Sequence, residues 1–324
     1  MSTFRSLIIV SAAVFTWVVS TVAVAQSNQP IPVVATFSIL GDMVKRIGNE
    51  HVSVTTLVGP DGDVHVYQPT PANARAVSEA EVLFVNGLEF EGWLDRLVDA
   101  SEFKGLRIVS TTGIDLIKLE EEEHHEDDAH SEDEKHEEEE HEDDEHHHGE
   151  FDPHGWQSLT NAIVYVNNVT AALAQYDPEN ATYYYQNRAK YVAEIEALDA
   201  STRKIVADLP ASQRTIVTSH DAFQYFGREY GLTFLAPQGL STDSEASAQD
   251  VADLITQMRT QGVAAVFIEN ITDPRLLEQI ANESGATIGG TLYPGALSSS
   301  DGPASTYLEM MNHNVTTLKK ALSP

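Results

Sequence analysis

Cysteine is absent from the 324 residues. That excludes a disulfide framework, a thiolate nucleophile, a cysteine zinc finger, an iron–sulfur cluster and an acylated N-terminal cysteine. Any metal must then be held by His, Asp or Glu. Basic residues are scarce: 19 Lys and Arg stand against 50 Asp and Glu, for a formal net charge of −31. Phosphate binding needs clustered Lys and Arg, so nucleic acid is excluded as a partner. Apolar runs long enough to cross a bilayer are missing after Val24. The helical His-Glu-x-x-His spacing of many zinc hydrolases is missing too. What remains is a chain with 42 % hydrophobic residues, long enough for two domains with separate cores.

The N-terminus reads as a processing signal. A weakly positive start, Met1 to Arg5, precedes an apolar run from Leu7 to Val24, and Ala23-Val24-Ala25 supplies a small-x-small cleavage pattern. The expectation is a secretory signal over residues 1–25, cleaved after Ala25, and a periplasmic mature protein. An uncleaved anchor is the alternative. The acid excess is local: residues 120–150 hold 19 Asp or Glu, eight His and one Lys, a net −18. Such a composition cannot bury a core, so the tract reads as a disordered loop. A plain acidic spacer has no need of histidine, and imidazole is the commonest metal ligand at neutral pH. The tract is therefore expected to collect metal at several weak sites.

Elsewhere strands and helices alternate with short connections, which points to parallel sheets covered by helices. Strands are expected at Ile31–Phe37, Val52–Val58, Val82–Val85 and Leu106–Val109, then at Thr215–Thr218, Thr233–Ala236, Ala265–Ile268 and Ala286–Ile288. Helices in the second half are expected to start near Asp221, Ser247, Pro274 and Pro303. Between the halves, Glu179 to Leu209 keeps apolar residues at three- and four-residue spacing. A helix of about 30 residues makes a strut of roughly 45 Å. The fold class is α/β, with two lobes, each a parallel sheet flanked by helices, joined by this long linker helix. The expected boundaries are 26–176 for the N-terminal lobe, which contains the 120–150 loop, 177–209 for the linker helix and 210–324 for the C-terminal lobe.

Five histidines lie outside the tract. His65 follows the turn Gly59-Pro60-Asp61-Gly62, His154 sits in Asp152-Pro153-His154-Gly155-Trp156, and His220 ends a strand in Thr218-Ser219-His220-Asp221. In parallel α/β sheets, ligands gather outside the carboxyl ends of the strands, so these three occupy candidate metal positions. His51, at a strand start, and His313, in a terminal helix, read as structural.

The ordered set of segments resembles the zinc and manganese receptors of ABC transporters, the solute-binding protein 9 family. Its pieces are Gly59-Pro-Asp-Gly-Asp-Val-His65-Val-Tyr-Gln-Pro-Thr-Pro, Asp152-Pro-His154-Gly-Trp, Ser219-His220-Asp-Ala-Phe-Gln-Tyr-Phe and Asp301-Gly-Pro-Ala-Ser-Thr-Tyr-Leu. The resemblance spans the mature chain and implies a metal in the cleft between the lobes, held by His65 and His154 from the first and His220 from the second. It also implies capture of Zn²⁺ for import through a membrane permease with its cytoplasmic ATPase, with no chemistry on the ligand. A zinc metallochaperone would be a further partner and a monomer the expected state. Three neutral imidazoles favour zinc over the harder Mn²⁺. Many relatives carry an Asp where this chain has Gly295, so the fourth position falls to water, Asp301, Glu269 or a loop histidine. An adhesin on the same fold and a three-histidine zinc hydrolase are the competing functions.

Overall fold

The computed structural model describes residues 29–119 and 149–323. Most of the 120–150 tract and the N-terminal segment, with the readings made for them, lie outside these residues.

The first half builds β1 (Ile31–Phe37), α1 (Ser38–Gly48), β2 (Val52–Val58), α2 (Pro71–Glu79), β3 (Val82–Val85), α3 (Leu94–Ser101) and β4 (Leu106–Val109). All pairings are parallel, in the order β2-β1-β3-β4. β3 is buried at every position, because helices cover both faces of the sheet and an unbroken apolar run suits such a strand. The start of α2 is set by Thr70, whose hydroxyl caps the Asn73 amide in a reciprocal capping box, with Pro71 at the first helical position.

Two helices follow, α4 (Leu159–Tyr176) and α5 (Ala181–Ala207), broken apart at Asp177-Pro178. The 27 residues of α5 span about 40 Å and bury Tyr184, Tyr191, Ile195, Thr202 and Val206 along one seam. This is the long helix between the lobes.

The second half repeats the plan with β5 (Thr215–Val217), α6 (Gln224–Tyr230), β6 (Thr233–Leu235), α7 (Ala248–Gln261), β7 (Ala265–Glu269), α8 (Arg275–Ser284), β8 (Thr287–Leu292) and α9 (Tyr307–Leu322). The order β6-β5-β7-β8, again parallel, matches the first sheet strand for strand. Three boundaries differ from the sequence pattern by more than two residues. β8 runs on to Leu292 through Gly289 and Gly290, where a bulge shifts the register against β7 between Val266 and Phe267. A Cβ on Gly289 would lie 2.5 Å from a Phe267 ring carbon, so glycine there permits the close approach. α6 begins at Gln224 rather than near Asp221, because His220 to Phe223 first make a turn. α9 begins at Tyr307 rather than near Pro303, where the Thr306 hydroxyl caps the Glu309 amide.

The lobes are stitched by hydrogen bonds close to the cleft. Leu297 donates its amide to Ser38 Oγ at 2.9 Å and accepts the Asp61 amide at 2.8 Å. Tyr307 donates its amide to Asp42 at 3.0 Å and its hydroxyl to the Trp156 carbonyl at 2.6 Å.

Candidate metal centre

His65 follows β2 in a loop that turns at Asp61, a left-handed residue with φ 53°. The Asp63 carboxylate accepts the His65 amide at 2.9 Å with one oxygen and the Thr242 hydroxyl of the second lobe with the other. Trp93 holds the loop by donating its indole N–H to the Val64 carbonyl at 2.9 Å. The His65 ring meets Phe90 edge-on with centroids 5.0 Å apart.

His154 is completely buried. Asp152 Oδ1 accepts both its amide, at 2.9 Å, and its ring Nδ1–H, at 2.8 Å. The carboxylate-to-amide bond of Asp63–His65 thus recurs at Asp152–His154, but only Asp152 also holds the imidazole ring. Gly155 keeps the turn close-packed, since a Cβ there would lie 2.7 Å from Ile114 and 3.0 Å from the Tyr165 hydroxyl. The Trp156 indole beyond it donates to the Pro294 carbonyl at 2.8 Å, a bond between lobes.

His220 follows β5 and is 1 % exposed. Glu269, at the end of the neighbouring β7, receives its Nδ1–H at 2.6 Å through Oε2. Glu269 Oε1 accepts the amides of Ser219 and His220 at 3.1 and 3.2 Å.

The three rings converge, with centroids 5.4–5.7 Å apart. One ring nitrogen from each lies within 4.8 Å of the other two, and among the described residues this is the group able to hold a metal ion. Tetrahedral zinc with bonds of about 2.0–2.1 Å needs donors about 3.4 Å apart, within reach of small rotations. His154 Nε2 and His220 Nε2 are both buried without a hydrogen-bond partner. An orphaned buried polar atom costs about 1–3 kcal/mol, which a bound cation would relieve. The carboxylates on the two Nδ1 atoms place the protons there and leave the Nε2 lone pairs facing inward.

Burial, aided by mutual repulsion of the imidazoles, holds His65 and His154 well below the ordinary value of 6.5, so both are neutral donors. For His220, burial also acts downward. The Glu269 charge and hydrogen bond, joined by Asp63 and Asp221, outweigh it and raise the pKa. Burial pushes Asp152 up to about 7. A cation in the centre would favour its ionised form.

Two carboxylates expected as fourth-ligand candidates do not join the group. Asp301 is exposed and accepts the Ser299 hydroxyl at 2.8 Å. Glu269 reaches the site only through His220, because both its oxygens are spent on N–H donors. Gly295 is buried beside Trp156, and its φ is not left-handed. The loop histidines lie outside the described residues. His51 and His313 sit apart: His51 packs edge-on against Tyr183 and Tyr184, and His313 Nε2 bonds the Thr291 carbonyl at 3.0 Å. The sequence reading passed over Asp63, Asp152 and Phe90. The repeated Asp-x-His was the available signal for the two acids, and Phe90 carries none.

His65, partly exposed, borders a cavity of about 600 Å³ lined by Glu89, Phe90, Asp95, Leu240 and Asp243. No described helix is long and apolar enough to cross a membrane.

Known proteins share this organisation. Residues 33–321 match the family model described as zinc-uptake complex component A, periplasmic, ZnuA. The manganese-binding lipoprotein MntA of Halalkalibacterium halodurans is 31 % identical over 299 residues, 92 % of this chain and 91 % of the relative. The manganese ABC transporter substrate-binding lipoprotein PsaA of Streptococcus mitis is 27 % identical over 306 residues, covering 92 % and 91 %. The solved structure of the periplasmic zinc-binding protein TroA from Treponema pallidum superposes with a TM-score of 0.79 at 28 % identity, covering 91 % of this chain and all of that one. With the match running from β1 to α9, the chain belongs to the ZnuA family, the metal-binding substrate-binding proteins of ABC transporters.

Proposed function

We propose that this chain is a periplasmic Zn²⁺ receptor that binds one ion tightly through His65, His154 and His220 and hands it to an ABC permease. The observation that carries the reading is the pair of buried, partnerless Nε2 atoms, each on an imidazole locked at Nδ1 by a carboxylate. Three neutral nitrogen donors suit zinc, a borderline acid, better than Mn²⁺, which prefers oxygen. Water completes the coordination, as Glu269 and Asp301 are engaged elsewhere. The acids nearest the rings orient imidazoles, which favours a receptor over a hydrolase. The lack of cysteine supports a lipid-free protein released after Ala25, unlike relatives named lipoproteins. It works as a monomer, accepting zinc from solution, from its own His-rich tract or from a metallochaperone.

A second reading, Mn²⁺ as cargo, draws on the names of MntA and PsaA. Almost any such site binds zinc more tightly than manganese, so affinity alone does not separate the two. The test is the metal retained by protein exported from cells grown with manganese in excess, measured by mass spectrometry beside zinc uptake in a deletion strain. Zinc at one equivalent, lost in His154→Ala and His220→Ala, is expected. Retained manganese, or unchanged tight zinc binding in His154→Ala, refutes the proposal.

A further inference from the structure

The tract at residues 120–150 leaves and rejoins the described fold at one narrow root. Lys118 and Phe151 form an antiparallel bridge, the Leu119 amide donates to the Glu150 carbonyl and the Asp152 amide to the Ile117 carbonyl, both at 3.0 Å. By sequence this root belongs to the first lobe, yet it is gripped from the side by α6 of the second. The buried Tyr225 hydroxyl accepts the Ile117 amide at 3.2 Å and donates to the Asp152 carbonyl at 2.9 Å, touching both arms of the root. One turn on, the Arg228 guanidinium lies 5.1 Å over the Tyr225 ring. It donates to the carbonyls of Asp115 and Leu116 at 2.6 and 3.4 Å and pairs with the Asp115 carboxylate at 3.5 Å. Just past His154, Ser158 donates its hydroxyl to the Glu229 carboxylate at 3.2 Å.

These contacts join specific parts of the site. Asp152, whose carbonyl Tyr225 holds, is the residue whose carboxylate orients His154. The helix that carries Tyr225 starts four residues after His220. We infer that α6, through the Tyr225 hydroxyl and the Arg228 guanidinium, is a latch that ties the root of the His-rich tract and the Asp152–His154 turn to the His220 segment, and that it must open before a bound ion leaves. The inference rests on the three histidines forming the metal centre. Tyr225 is a positioning residue that acts through Asp152 and is not itself a ligand. An ion shared between lobes escapes only when its ligands separate. Buried hydrogen bonds that water cannot replace without opening therefore act on release more than on capture.

Tyr225→Phe keeps the ring and its stacking under Arg228 and removes only the hydroxyl. Tyr230→Phe on the same helix is the control, losing a bond to Asp199 at 2.8 Å away from the root. Zinc release from preloaded full-length protein is timed against a chromophoric chelator, and the visible spectrum of the Co²⁺-loaded protein reports ligand geometry. Tyr225→Phe should release zinc about tenfold faster, equivalent to about 1.4 kcal/mol, with an altered Co²⁺ spectrum. Tyr230→Phe should match wild type in both, even if its melting temperature falls. Should Tyr225→Phe fail to fold, Arg228→Gln carries the same expectation, with release accelerated severalfold. Wild-type release and an unchanged spectrum in the folded variant overturn the latch alone. Wild-type protein that releases zinc as fast as His154→Ala overturns the metal-centre reading, and the latch with it.

Discussion

In Glu269→Gln the side chain keeps its size, loses its charge and exchanges one acceptor for a donor. The wild-type carboxylate accepts at both oxygens, the ring Nδ1–H at one and two backbone amides at the other. An amide cannot satisfy both. If its NH₂ faces the ring, Nδ1 must become the acceptor, and the proton moves to Nε2, the atom that would bind the ion. If its NH₂ faces the backbone, two buried amides lose their partner. A hydrogen bond to a charged group contributes about 1.5–3 kcal/mol, which converts to roughly 10–100-fold in affinity. That agrees with the usual cost of losing the partner behind a metal-bound histidine. The pH profile adds a second signature. His220 is held above 6.5 by Glu269 against the effect of burial. In wild type a proton therefore competes for Nε2 already above the ordinary imidazole value, and affinity falls as pH drops through the raised pKa. Without the charge, burial prevails, the pKa falls and the competition moves to lower pH. Competition titrations with a fluorescent chelator from about pH 5.5 to 8 should show weaker zinc binding at the alkaline end and a smaller loss of affinity as the pH falls. Affinity within twofold of wild type, with the same profile, would refute the assignment of Glu269 as the group that orients His220.

Gly295→Asp should tighten zinc binding about tenfold by adding an anionic ligand. The backbone φ permits a side chain, and the nearest atoms to a new Cβ, on Ile271 and Trp156, are 3.9 Å away. X-ray absorption should find three nitrogens and one oxygen at about 2.0–2.2 Å in the wild type, with the oxygen contributed by protein in the variant; a fourth nitrogen would bring in a loop histidine. Removal of residues 121–148 should leave one tight site by calorimetry, abolish the weak ones and slow growth only when zinc is scarce, because a tethered collector works through local concentration. Loss of the tight site would mean that the tract supplies a primary ligand.

The alternation of apolar runs and turn residues locates all eight strands; one buried on both faces, such as β3, must be apolar at nearly every position. It fails at β8 because Gly289 and Gly290 look like a strand end, whereas they continue the strand where Phe267 leaves no room for a side chain. It also places α6 and α9 too early. There, turn residues and a threonine cap delay the first helical hydrogen bond, and local propensity does not show which of several polar residues will be the cap.

The candidate ligands are written in the chain itself. The absence of thiols, the histidines after β2 and β5 and at the Asp152–Gly155 turn, and the repeated Asp-x-His are all legible without coordinates. The distances between those groups are not. His65, His154 and His220 meet because two similar sheets face each other at their carboxyl ends, braced by α5 and stitched through Ser38, Asp42 and Trp156. The same packing turns Glu269 toward His220 Nδ1 and leaves Asp301 in solvent. Backbone periodicity constrains neighbours a few residues apart, so it can pair Asp152 with His154. It carries no information about two side chains 49 residues apart, whose separation is set by how the strands lie side by side.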